Sequence, residues 1–434
     1  MSTSALLCGC QALPATAQST TQPAEAATPV NQLSPAERAA GWQLLFDGTS
    51  TEHWRGYKRE AFPEQGWTIE DDAIKVIEAG GGGDIMTVKQ FENFEFSLEY
   101  RVAPAANSGI IYRVQETEDT TWQTGPEFQV LDDQGHAMAP THIHSAGAMY
   151  DLVAPPEDKV VLPTGEWNTV RIIINNGHLR HWLNEKKIVD IDLNGDAFKA
   201  LVAASKFRTY SNFGTNTSGH IALQDHGNNV WYRNIKIRDL DAPAPGAVDL
   251  FENGMNAWTT FFADEATSSD TFSFDEESGI LECTGQPIGY LRTKDMYESF
   301  VLTLDWRWDK EKGAGNNGVL VRMDGNDTVW PRSIEAQLHS GNAGDFYSIG
   351  DFPMTTDADR RNGRHTRKMV AAENPVGEWN HYEIIVNGDV IDLFINGEHV
   401  NHAEGVEVMP GHICLQSEGA PIQFRNVHLT PIDE

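Results

Sequence analysis

The chain repeats itself, and this constrains its folding more than any other feature. Blocks of the first half return in the same order in the second, at an offset of roughly 190–210 residues. Leu45-Phe-Asp-Gly48 with Trp54 returns as Leu250-Phe-Glu-Asn-Gly254 with Trp258, and Phe94–Arg101 returns as Phe300–Arg307. Asn107-Ser-Gly-Ile-Ile-Tyr-Arg113 matches Asn316-Asn-Gly-Val-Leu-Val-Arg322, and Ala146-Gly-Ala-Met-Tyr150 matches Ala343-Gly-Asp-Phe-Tyr347. Gly165-Glu-Trp-Asn168 pairs with Gly377-Glu-Trp-Asn380, Ile221–Gln224 with Ile413–Gln416, and Tyr232-Arg-Asn-Ile235 with Phe424-Arg-Asn-Val427. Seven collinear blocks imply two homologous domains, expected at 40–240 and 248–434. Asp241-Ala-Pro-Ala-Pro-Gly-Ala247 reads as the linker between them.

Within each domain the signals are those of strands. Phe94–Val102, Val170–Ile174, His178–Leu183 and Trp231–Ile237 alternate or are β-branched. Asn175-Asn-Gly177, Asn387-Gly-Asp389 and Asn396-Gly397 read as hairpin turns. Helix signals are few. Ser34 caps a short helix opening at Pro35, and Asp196–Ala204 suits another. Many short strands with regular turns indicate an all-β chain of two tandem β-sandwiches.

The run Trp122–Asp132 is the most informative strand. Glu127 and Gln129 fall on one face, and Phe128 and Val130 on the other, because strand side chains alternate. Trp330, Glu335 and Gln337 repeat the spacing in the second domain, and His339 continues the face.

The 32 basic and 63 acidic residues give a net charge of -31, which excludes nucleic acid as a partner. No apolar run is long enough for a transmembrane helix. Leu7-Cys-Gly-Cys10 resembles the end of a lipoprotein signal. Residues 1–10 are therefore a candidate truncated signal with Cys10 as lipid anchor, and residues 11–39 a disordered tether. The expected location is periplasmic or extracellular. Cys283 and Cys414 are either a disulfide or two buried thiols.

The order of the blocks resembles the 3-keto-disaccharide hydrolase-like family. The resemblance is carried by Phe46-Asp-Gly48, Asn107-Ser-Gly109, Glu127–Asp132, Gly147–Asp151, Gly165–Asn168, Leu223-Gln-Asp-His-Gly227 and Tyr232–Ile235. It implies concanavalin A-like jelly rolls and glycoside substrates already oxidised to a ketone at sugar carbon 3. Such a ketone acidifies the hydrogen on carbon 2. A base removes it, the enolate expels the group on carbon 1, and water adds to the product. The site needs a base, a donor for the enolate oxygen and an acid for the leaving group.

Candidate catalytic residues are Glu127, Asp132, His144, Tyr150 and His226, the last with Asp225 to orient it. Trp122 and Trp330 are candidate stacking platforms for a sugar. Arg113, Arg233 and Arg425, together with Gln129, Gln224, Gln337 and Gln416, are candidates for holding substrate oxygens. The arginines serve equally well as ion pairs supporting the sheet. Glu335, His339, Tyr347 and Glu418 complete the candidate set of the second domain, which is either a second active site or a sugar-binding partner. His136, His142 and His144 form a cluster in which a His-x-His pair on one strand face could take a divalent cation. No cofactor is otherwise implied. The alternative to the enzyme is a non-catalytic lectin-like protein. The basic run Arg360–Lys368 reads as a solvated loop.

Overall fold

The computed structural model describes residues 28–137, 142–263 and 270–433. It is all-β, with two similarly sized halves, each built of two antiparallel sheets. In the first half one sheet runs, in spatial order, Lys186–Asp192, His178–Leu183, Asn168–Asn175, Phe94–Val102, Val230–Asp239, Ala73–Val76 and Trp67–Glu70, with Gln43–Leu44 also pairing Val230–Asp239. The other has five strands: Trp54–Gly56, Ile85–Thr87, His220–Leu223, Asn107–Val114 and Glu127–Leu131. Phe96, Leu98 and Tyr100 of the first sheet and Ile110, Tyr112, Phe128 and Val130 of the second share one core. Tyr232 ties the layers by donating to Ser108 Oγ at 2.7 Å across that core.

The second half repeats the plan and enlarges it. The sheet that carries Arg332–Gln337 gains three strands beyond it, Phe346–Ile349, His365–Thr366 and Arg361–Asn362. The basic run is therefore not a loop. It forms the outer hairpin of this sheet.

The expected turns and caps are present. Asn176 and Gly177 (φ 51° and 83°) and Asn396 and Gly397 (φ 50° and 80°) adopt the left-handed pair that a tight hairpin requires. Ser34 Oγ accepts from Glu37 N while Glu37 Oε2 accepts from Ser34 N, closing a capping box on Pro35–Ala39. Asp196–Ala204 is helical. Cys283 and Cys414 are buried free thiols. Cys10 lies outside the described residues.

The halves meet through the outward face of the sheet that holds Glu95. Arg238 bonds both Glu95 of its own half and Glu383 of the other, and Arg171 joins them. All but Arg171 are at most 8% exposed. Arg171 Nη2 also donates to Gly397 O at 2.7 Å and Arg180 Nη1 to Asn396 O at 2.6 Å. A polar cleft of about 910 Å³ follows this seam. Truncating one partner of such a buried cluster strands the others in low dielectric. Arg238→Ala is expected to cost about 3–5 kcal/mol, read as a lower urea midpoint.

Candidate active site

Glu127 enters the site from the five-stranded sheet. Its neighbour across the ladder is Ile111, and Gln129 faces Gly109. A Cβ at Gly109 would collide with the Glu127 carboxylate, so glycine is what lets this side chain lie flat over the sheet. Phe128 and Val130 join the core, as the alternation predicts. The polar face is also covered: Glu127 is 6% and Gln129 1% exposed. Burial pushes Glu127 up to about 8, with Lys206 opposing the shift and Asp84 adding to it.

Lys206 follows the helix Asp196–Ala204, in the segment Lys206–Thr209. Its ammonium lies 4.2 Å from the Tyr150 ring centroid and 5.4 Å from that of Trp122. Burial lowers its pKa, while Glu127 and Asp151 oppose the shift. Tyr150 is pushed up to about 12 by burial and by the nearby carboxylates of Glu127 and Asp151, so its hydroxyl stays a donor. His144 packs at a tilt against Tyr150, ring centroids 4.8 Å apart, and pairs through Nε2 with Asp151 Oδ1 at 2.8 Å. Asp84 is half-buried and its pKa is raised by desolvation; it accepts from Thr121 Oγ1 and from Asp225 N. His226 is exposed beside it and favours its ionised form.

Glu127, Tyr150, His144 and Trp122 thus converge, and Lys206, Asp84 and Asp151 join them although sequence reading did not select them. Lys206 and Asp84 are distant in the chain, and nothing local marks them. Gln129 lies beside Glu127 and donates to Asn107 Oδ1 at 3.1 Å. Gln224 is buried at the end of its strand.

Several candidates have other roles. Asp132 spends its oxygens on the turn, accepting from Ala105 N at 2.7 Å and Gln134 N at 3.0 Å. Asp225 does not orient His226; it accepts from Gly83 N and Gly227 N. Arg233 sits on a bulge of the other sheet, where Asn234 takes φ 50°. It pairs with Glu99 at 2.7 Å and stacks on Trp167. Arg425 copies this with Asp305 and Trp379, beside the cleft between the halves. Arg113 occupies a left-handed bulge (φ 56°), and the acid that favours its charge is Glu92, not Glu127. Arg233 and Arg425 thus hold ion pairs of the sheet, whereas Arg113 is buried with its Nε unpartnered.

His142 and His144 lie on a short 3₁₀ turn and not on the strand expected for them. Residues 138–141, inside that cluster, lie outside the described ones. A geometry compatible with a divalent cation does occur elsewhere. Asp392, His399 and His402 bring their ligand atoms within 4.8 Å of one another, on the sheet of the second half that does not carry Glu335. Both rings hydrogen-bond Asp392 Oδ1 at 2.8 Å.

In the second half Glu335 is likewise pushed up to about 8 by burial and by Glu418, with Arg364 opposing. It lines a cavity of about 280 Å³ with Asn316, Trp330, Tyr347, Arg364 and Glu418. Gln416 converges with Glu335 over Gly318, where a Cβ would meet both. Gln337 is turned to its own chain, accepting from Leu338 N and His339 N. His339 lies past the strand end, exposed at the cavity rim.

The matched residues agree with this duplicated geometry. The model of the 3-keto-alpha-glucoside-1,2-lyase-like domain matches twice, over residues 41–238 and 246–430. The chain belongs to this family. A 3-keto-disaccharide hydrolase of Bacteroides thetaiotaomicron is 33% identical over 233 residues, covering 47% of the chain and 80% of that relative. Among solved structures, a Parabacteroides distasonis protein provisionally named a glycosyl hydrolase is 31% identical, covering 49% of this chain and all (100%) of its own, with a TM-score of 0.46.

Two outcomes follow from the crowding around Glu127. Gly109→Ala is expected to displace the carboxylate and remove its function while the protein still folds, checked by circular dichroism beside an activity assay. The raised pKa also has a sign for stability. The unfolded chain ionises Glu127 near the usual 4.5 and the folded one only near 8, so the folded state loses ground as pH rises between them. Glu127→Gln escapes that loss. Its melting temperature, relative to the parent, is expected to climb from pH 5 to pH 8 and then level off.

Proposed function

We propose that the protein cleaves glycosides whose sugar bears a ketone at carbon 3. Family membership and the Bacteroides relative support this reading. The observation that carries it is the Glu127 carboxylate buried with Lys206 and Tyr150 beside it. This is a base whose proton affinity suits a C–H acidified by a ketone, next to a cation and a hydroxyl for the enolate oxygen. Glu127 takes the carbon 2 proton. Lys206 and Tyr150 hold the developing charge on the carbon 3 oxygen. His144, steadied by Asp151, gives its proton to the departing oxygen on carbon 1. Water then adds across carbons 1 and 2, and the carbon 2 proton returns. The sum is glycoside plus water giving 3-keto sugar plus alcohol. Trp122 offers a face to the sugar ring.

The same reading treats each half as a concanavalin A-like jelly roll, with domains at 40–240 and 248–434 joined by 241–247. Two antiparallel sheets about one core in each half support it. An exported protein anchored at Cys10 completes the picture, supported by Leu7-Cys-Gly-Cys10. No helix among the described residues is long and apolar enough to cross a membrane.

The test compares a 3-keto-glucoside with its unoxidised parent. Turnover of the keto compound alone is expected; binding of both without turnover would return the lectin-like alternative. Glu127→Gln should lower the turnover contributed by its own half about 10²–10⁴-fold. The base is the ionised form, so kcat/KM should rise with pH through about 8, then fall where Lys206 loses its proton. His144→Ala should matter less for a nitrophenol leaving group than for a sugar. Chelation is expected to leave turnover unchanged, because Asp392, His399 and His402 share a sheet with neither Glu127 nor Glu335.

A further inference from the structure

We propose that the second half holds a second, self-contained catalytic site for 3-keto-glycosides, with Glu335 as its base and Arg364 as its cation. The inference rests on the function just proposed and extends it to a part of the chain whose residues differ from the first.

Around Glu335 the repeat keeps the tyrosine, and the other groups rebuild the arrangement around Glu127 from non-equivalent positions. In the first half Tyr150 packs at a tilt against His144, whose partner is Asp151 from the same loop. In the second, Tyr347 stacks on His365 at 4.5 Å, and His365 Nε2 pairs with Asp345 Oδ2 at 2.7 Å. His365 comes from the added hairpin, and Asp345 stands where the repeat has Ala148. The cation is replaced as well. Lys206 lies over Tyr150, and Arg364 lies 5.8 Å from the Tyr347 ring centroid. Glu418 takes the place of Asp84 as the neighbouring carboxyl. A scaffold that merely retained the repeat would not regain a histidine–aspartate pair and a cation from other strands.

Two further observations point to a ligand. Trp330 is 46% exposed at the mouth of the 280 Å³ cavity, an aromatic face where a pyranose ring can stack. Four buried side-chain oxygens have no protein partner: Glu335 Oε1, Glu418 Oε2, Asn316 Oδ1 and Gln416 Oε1. Buried polar atoms are rarely left so, and sugar hydroxyls are the donors this acceptor-rich wall would take. The chemistry balances as in the first half. The carbon 2 proton passes to Glu335, the C–H electron pair becomes the enolate, the carbon 1 oxygen leaves with a proton, and water completes the sum.

The experiment uses the full chain and a panel of 3-keto-glucosides. Glu127→Gln is expected to leave a residual rate that Glu335→Gln, added to it, lowers at least tenfold. Trp330→Ala in the Glu127→Gln background should raise KM for that residual rate. Its side chain is exposed, so the fold is not at risk. Titration of the double Gln variant with a 3-keto sugar should count two sites per chain. An active parent whose Glu127→Gln residue of activity ignores both second-half substitutions, or one binding site per chain, overturns the second site alone. An inactive parent overturns the function itself, and this inference with it.

Discussion

A glycine diagonal to a glutamate across a strand pair, with the carboxylate lying over it, is the contact on which the site depends. Without a side chain at Gly109, the Glu127 carboxylate lies against the backbone of its neighbour. Gly318 makes the same room for Glu335 and Gln416. Each carboxylate is thereby held under the covering loops rather than in water, and its proton affinity follows from that confinement. The strand is rigid because its other face is core. Each glutamate is thus mounted on a strand whose other face is packed in the core, while its polar neighbours come from loops and a hairpin.

The two layers of each half divide the remaining work. One sheet turns its outer face to the other half, with Arg238, Glu95 and Glu383 at the seam. The other turns its outer face to the candidate site, with Glu127 in one half and Glu335 in the other. The arginines of the Tyr-Arg-Asn and Phe-Arg-Asn repeats belong to the first kind of surface, since the bulges at Asn234 and Asn426 aim them at Glu99 and Asp305.

Much of this was legible in the amino-acid sequence. The repeat, the hairpin turns and the two-residue alternation at Glu127–Val130 all depend on local rules, and each appears where those rules put it. What escaped was set by distance. Asp84 lies beyond a glycine-rich loop, Lys206 beyond a helix, and His365 inside a basic run that looked like solvated surface. Their relation to the glutamates exists only after the sheets close. Burial was the other hidden quantity. A polar strand face usually meets water, and the pattern cannot reveal that loops cover Glu127. Asp132 misled for a related reason: an acid after a strand serves a turn as readily as a reaction.

The charged seam bears on how such a chain can change over time. Once Arg238 had bonded acids from both halves, neither half could be discarded cheaply, because the survivor would carry an ionic face shaped for a missing neighbour. Duplication became a ratchet. The seam ties the two copies together through residues that are separate from those around Glu335, where Arg364 stands for Lys206 and His365 for His144.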